Sequence, residues 1–508
     1  MTLGPLAACA GPGPVTGTGA SAGSTAGPGL TLALNRSLVS LDNKLNQFDA
    51  AVTVQRGVRQ ALTFIDPKLT VQPVLAESFK LTAPTEWTVK LRDGVHYSDG
   101  SPIKVEDVTT ALQMYQKVPG SFLAGLFPEW PTVTPVDAST FKLVTENPMP
   151  TLDYLMANIL ITPAAANKPE ELQGGIGSGP YVVTAANRGT GEYTLQVNDK
   201  YWGPAPAIKT VQVRFLPEEA NRVVALRSGE VDVIDAISPD AISQLSGIGD
   251  VEIQQVPSTR ITQLFYNFRK PSGHPLADVR VREALSYAIN GPALIKDVFA
   301  DSVTQARGVV ADTLTGAVQT GEYVYNPQKA KQMLEAAGVK DLKIKIIWET
   351  GEFANDTSVM EAVVEMLKAV GVQAELQQFQ PGGDISKWRQ GKGGDWDVLG
   401  NGYPGPTGLA LTPLQGMFAG TAEKEATRDT YHGYVFPKIT TLLQKASRET
   451  DQTARDGLLS TAQKEIWNTW PCMWAFVPKT VIARRKRVQN VLLSPTNSYD
   501  LASVRLNG

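Results

Sequence analysis

Residues 76–108 read AESFKLTAPTEWTVKLRDGVHYSDGSPIKVEDV. Trp87, Val89 and Leu91 alternate with Thr88, Lys90 and Arg92, the period of a half-buried strand. A second strand is expected over 95–98, ending in a turn at Asp99-Gly100-Ser101-Pro102. Val105, Val108, Ala111, Leu112 and Tyr115 then fall on one face of a helix. The stretch holds no obvious catalytic group and reads as framework.

Outward from it, short strands and helices alternate. Strands are expected at 31–34, 141–144, 193–197, 211–215, 231–233, 343–348, 373–376 and 395–398, and a last apolar one enters at 470–476. Helices are expected at 53–62, 152–159, 218–227, 359–370, 439–449 and 453–467. The clearest helix follows Asp278, where Val281, Ala284, Leu285, Ala288 and Ile289 form a stripe that Gly291-Pro292 stops. Asn326-Pro327 opens another. Such alternation is the α/β pattern. Residues 122–131, FLAGLFPEWP, read either as a core-packing loop or as part of an apolar cleft wall. Residues 400–420 read as irregular and uncharged.

Composition narrows the function. The 508 residues are enough for two or three lobes with sizeable cores. A net charge of -3 points to no nucleic-acid partner. No apolar run reaches the ~18 residues of a membrane-spanning helix. Two cysteines, Cys9 and Cys472, exclude a disulfide framework. His96, His274 and His432 are too scattered for a His/Cys metal site, so no metal and no cofactor is expected, although an all-oxygen calcium site stays open. No Ser-His-Asp, Cys-His, P-loop or H-E-x-x-H arrangement is visible, and Cys472 reads as a buried inert thiol. The expectation is a protein that is not an enzyme. Arg484-Arg485-Lys486-Arg487 reads as a solvated turn, or alternatively as a patch for a permease or anionic lipid.

At the start, Leu6-Ala7-Ala8-Cys9 looks like a bacterial lipobox, with Cys9 as the lipidated residue. Residues 10–29 contain only Gly, Pro, Ala, Ser, Thr and one Val, a flexible tether of ~25 Å root-mean-square reach. Only eight residues precede Cys9, too few for the basic and apolar regions of a secretory signal, so the start is expected to be truncated or misplaced.

Several motifs share one resemblance. They are the opening stretch, Gly177-Ser178-Gly179-Pro180-Tyr181, Asn198 with Tyr201-Trp202-Gly203, Arg222 to Asp232, and Pro275 to Asn290. In order and content the chain resembles the oligopeptide/nickel-type extracellular solute-binding proteins (family 5) of ABC importers. The resemblance implies a two-lobed, periplasmic-binding-protein-like α/β fold of the cluster C type, with an extra subdomain on the first lobe. It implies a first lobe from 30–66, 177–268 and 478–508, an extra subdomain over 67–176, and a second lobe over 269–477. Residues 1–9 are then the truncated signal and 10–29 the tether. It further implies a lipid-anchored monomer on the extracytoplasmic face of the membrane, which delivers a solute to permease subunits driven by a separate ATPase. A non-transport lipoprotein of the same fold, acting as a sensor or interaction factor, is the alternative.

In peptide-binding members an Asp in a G-W-x-x-D-like segment holds the peptide amine. Here the matching residues, 400–407, have Tyr403 in the Trp position, and no acidic residue lies between Asp397 and Glu423. Asn401, Tyr403 and Thr407 suit hydroxyls. The expected solute is therefore a small peptide, a modified peptide or an oligosaccharide-like molecule in an aromatic-lined cleft. The expected ligand-binding residues are Asn35, Arg36, Phe122, Trp130, Arg260, Tyr266, Trp388, Asn401 and Tyr403.

Overall fold

The computed structural model describes residues 29–36, 38, 41, 44, 49–118, 122–166, 175–187, 189–421 and 432–507. Cys9 and residues 10–28 lie outside the described residues. One long strand, Cys472–Arg485, links the two halves of the molecule. Its first residues pair with Ile261–Tyr266, and its later ones pair with Val251–Pro257 and Val233–Asp235.

On one side of this strand lies the first lobe. Leu30–Leu34 runs parallel to both Thr210–Phe215 and Val233–Asp235. On the other side lies the second lobe, where Lys343–Glu349 runs parallel to Gln373–Phe379 and Val398–Tyr403. Helices cover both sheets, as parallel strands require. Asp278 caps the helix Val279–Tyr287 through Oδ1, which accepts the Arg280 N–H at 2.8 Å. Asn326 does the same for Pro327–Ala336, accepting from Lys329 at 2.9 Å.

A third unit is the antiparallel sheet ordered Ala76–Ala83, Glu86–Leu91, Thr140–Val144, Thr132–Pro135. The expected alternation holds. Trp87, Val89 and Leu91 are buried, and the intervening residues are less so. The partner differs from expectation. Residues 95–98 form no strand and make only an isolated bridge between His96 and Pro102. Their alternation instead records burial of Val95 and Tyr97 in a loop closed by Tyr97 N–H to the Ser101 carbonyl, 2.9 Å. Asp107 fixes the helix Val105–Gln116 to its surroundings. One of its oxygens accepts from Lys104 N at 2.8 Å, and the other accepts from Ala164 N at 2.7 Å. Trp87 is 6% exposed and donates from Nε1 to the Met149 carbonyl at 3.0 Å. Trp87→Ala is expected to cost ~3–5 kcal/mol, read as a lowered denaturant midpoint.

Two further expectations change. Residues 400–420 are not irregular: they contain the end of strand Val398–Tyr403 and the helix Leu411–Phe418. The basic run at 484–487 is not a free patch. Arg484 pairs with Glu252, Arg485 with Asp250 and Arg487 with Asp232.

Candidate functional site

Parallel strands expose their carboxyl ends along one edge, where open α/β sheets receive ligands. Here the two edges face a common cavity of about 730 Å³. From the first lobe come Asn35 and Arg36, after Leu30–Leu34, and Asp235 and Ala236, at the end of Val233–Asp235. From the second come Glu349 to Glu352, Pro381, Pro404 and Pro406, at or just after the ends of its three parallel strands. The back wall is the crossing itself. Ser258 N donates to the Pro478 carbonyl and Thr259 N to the Pro495 carbonyl, each at 3.0 Å. The helix Asp49–Val58 supplies Gln55 and Arg56, and the third unit supplies Leu123, Asn158 and Leu160.

Buried arginines hold the strand ends. Arg222 donates to the carbonyls of Leu216 (2.8 Å), Pro217 (2.8 Å), Ala236 (2.9 Å) and Asp235 (3.3 Å). It thereby fixes the turn that carries Asp235 and Ala236 into the cavity. In the second lobe the buried Arg282 ties the turn before its own helix to the chain entering Cys472–Arg485, donating to the carbonyls of Leu276, Ala277, Thr469 and Trp470, away from the cavity.

The cavity's charges fall into a pattern. Arg260 and Glu352 form an ion pair, and Glu352 also accepts from Gly402 N at 2.8 Å. Gly402 permits this. A Cβ there would lie 2.6 Å from the guanidinium carbon of Arg260. Arg56 has no carboxylate partner among the described residues. It donates to the Ala157 carbonyl at 3.3 Å and lies over the Phe64 ring. Burial pulls its guanidinium down to about 10, so it remains a cation at neutral pH. Arg36, exposed, lines the same cavity. Glu349 lines the opposite wall.

Burial pushes the Asp235 carboxyl up to about 6, against the pull of Arg222, the Asn35 N–H (3.0 Å) and Arg36. A carboxyl raised above its unfolded value contributes stability that is complete below the unfolded pKa and is lost as pH rises through the folded one. The window here is ~pH 4 to 6. Asp235→Asn should therefore stabilise the protein at pH 7.5 by on the order of 2–3 kcal/mol and have little effect at pH 3.5. Melting temperatures at the two pH values check this.

Of the residues expected at the site, Asn35, Arg36 and Arg260 line the cavity. The others that can be placed do not. Trp130 stacks on Phe127 at 4.2 Å inside the third unit's core. Tyr266 is fully buried, its hydroxyl donating to the Arg282 carbonyl at 2.9 Å. Trp388 packs on Phe379 at 5.3 Å. Asn401 is 4% exposed and folds onto the Gly402 carbonyl at 3.2 Å. Tyr403 lays its hydroxyl over Gly416, and Thr407 is buried against Thr412. The side chain of Phe122 lies outside the described residues. Each ring sits in a core that its own strand or helix face dictates, and no aromatic residue lines the cavity among the described residues. Residues 404–406 reach the site through prolines rather than through Asn401 and Tyr403. Arg56, Asp235, Glu349 and Glu352 were missed, although three of them stand at or near the ends of strands that the sequence pattern marks.

Residues 70–425 match the sequence profile described as bacterial extracellular solute-binding proteins, family 5 Middle. The glutathione-binding protein GsiB of Escherichia coli K12 is 26% identical over 479 residues, covering 91% of this chain and 92% of that one. The solved ABC transporter substrate binding protein CtaP of Listeria monocytogenes superposes with a TM-score of 0.83 at 19% identity, over 94% of this chain and 99% of that one. DppA of Helicobacter pylori, solved with the peptide STSA, superposes with a TM-score of 0.75 at 19% identity, over 94% and 98%.

Proposed function

The chain belongs to the bacterial extracellular solute-binding proteins of family 5, and from that premise we propose that its solute is a small peptide rich in carboxylates. The protein is an extracytoplasmic solute-binding component. Its partner is the permease of an ABC importer, and the solute is enclosed between the lobes. One observation carries the choice of solute: Arg56, a desolvated guanidinium on the cavity wall, has no carboxylate partner among the described residues. A half-buried cation with no anion beside it is left partly desolvated, and guanidinium matches carboxylate in a two-pronged geometry. Arg36 supplies a second positive charge, and Glu349 faces them as a partner for an ammonium group. Glutathione, which names one relative, carries two carboxylates and one ammonium group and fits this pattern. The cavity's polar, proline-edged lining offers no ring for stacking a sugar face among the described residues, which favours a peptide over an oligosaccharide.

The remaining assignments belong to the same reading. Lipidation at Cys9 would hold the protein at the membrane through the tether 10–29. The first lobe would comprise 30–66, 177–268 and 478–508, the extra subdomain 67–176 and the second lobe 269–477. The protein would act as a monomer, without cofactor.

A thermal-shift series tests the solute. Glutathione and acidic di- and tripeptides should raise the melting temperature in a concentration-dependent way, by ~2.7 kcal/mol of stabilisation at a hundredfold excess over Kd. The same peptides with amidated carboxyl groups should not. Equal shifts from acid and amide forms, or no shift from either, would reject the carboxylate reading.

A further inference from the structure

A hairpin of strands Thr63–Ile65 and Val71–Pro73 carries Leu69 at its tip. Leu69 has φ +61°, a left-handed conformation that leucine holds only where its surroundings impose it. Asp66 imposes it. Its carbonyl accepts Leu69 N (2.8 Å), its Oδ1 accepts Lys68 N (2.8 Å) and Thr70 N (3.0 Å), and its Oδ2 accepts Gln72 Nε2 (3.2 Å). The side chain held in this way is only 4% exposed.

It touches two walls. On one side it packs with Ile65, Ala157 and Tyr154. On the other it rests on Gly408 of the second lobe, where an added Cβ would lie 3.1–3.5 Å from Leu69 side-chain atoms. Gly408 closes a tight turn by donating to the Gly405 carbonyl at 3.0 Å. Pro404 and Pro406 beside that turn line the cavity, as do Ala157 and Asn158 beside Leu69.

We infer that Leu69 is a clasp: it joins the two cavity walls far from the hinge and holds the closed form, retaining the solute whatever its identity. The contact with Gly408 exists only when the walls meet, so it biases the closed state by the part of the Leu69 burial made against that wall. Because Asp66 has already fixed the tip, little freedom is lost on closure. The retention arm of this inference rests on the enclosed-solute reading, while the wall-closure arm does not.

The test compares the wild type with Leu69→Gly, which suits the left-handed backbone, and with Leu69→Asn, which also tolerates it. In a Cys9→Ser background, spin labels at Lys80→Cys and Lys464→Cys report the separation of the walls without ligand and with saturating glutathione. Both Leu69 variants should shift the population toward longer separations. Stopped-flow release of glutathione should quicken by about tenfold or more, with the association rate little changed. Unchanged separations in both variants, with melting temperatures intact, would overturn the clasp. If glutathione fails to bind the wild type, that result counts against the proposed solute, and the ligand-free separations still decide the clasp.

Discussion

Arg56→Ala should weaken binding of glutathione or an acidic tripeptide at least ~30-fold, about 2 kcal/mol or more. The helix Asp49–Val58 brings Arg56 to the cavity wall, where it meets the Ala157 carbonyl at 3.3 Å and the Phe64 ring. Neither neutralises the charge. A ligand carboxylate would therefore meet a half-buried cation that has already given up part of its hydration, where a charge-assisted bond counts for more than in water. Arg56→Lys should recover only part of the affinity, because an ammonium group cannot form the fork. Arg36→Ala should cost less, because water screens an exposed side chain. The ligand-free melting temperature of Arg56→Ala should stay near the wild-type value, since a desolvated, unpaired charge is removed. Titration calorimetry at fixed pH and ionic strength separates these outcomes. An unchanged Kd for Arg56→Ala would remove the basis for a carboxylate solute.

The framework was more legible than the site, for a physical reason. Strand and helix periods report which face is buried, and the residues that dominate them, such as Trp87, Val281 and Leu285, act locally. Caps at Asp278 and Asn326 follow from hydrogen bonds within three residues, so they too can be read from sequence. A cleft is different. It collects Arg56, Asp235, Glu349 and Asn497 from separate parts of the chain, and no local period marks them. The aromatic residues expected at the site pack away from this cavity because ring size predicts burial more strongly than it predicts ligand contact. Tyr266 and Trp388 went to the core accordingly. A better signal was present: polar residues directly following a strand with parallel neighbours. Asn35 after Leu34, and Glu349 closing the run KIKIIW, both satisfy it. Residues 76–108 contribute no side chain to the cavity. Their Arg92 lies over the Trp202 ring, and their Ser98 N–H binds the Gly177 carbonyl at 2.9 Å. They are tied to the other motifs rather than to the solute.

That tie sets the second large effect. Gly179→Ala should destabilise the protein by ~3 kcal/mol or more, while the adjacent Ser178→Ala should be neutral or stabilising. The chain at 177–180 crosses the end of the helix Asp49–Val58 in backbone contact. Gly179 N donates to the Val58 carbonyl at 2.9 Å, and the Gly179 carbonyl accepts Asn198 Nδ2 at 2.9 Å. A Cβ on Gly179 would fall 2.6 Å from the carbonyl carbon of Val58 and 2.7 Å from its oxygen. Those are main-chain atoms, so no rotamer change can relieve the collision. Ser178 is the opposite case. Its hydroxyl is buried and has no hydrogen-bond partner among the described residues, so deleting it removes a desolvation penalty. The consequence for function follows from position. Val58 ends the helix that carries Arg56, so moving this backbone displaces the cation from the cavity wall. Gly179→Ala should therefore lose glutathione affinity even at temperatures where it remains folded, whereas Ser178→Ala should keep it. Denaturant midpoints and calorimetric Kd values on the same two variants check both statements. Equal stability of the two would show that the crossing has room that the backbone contacts deny.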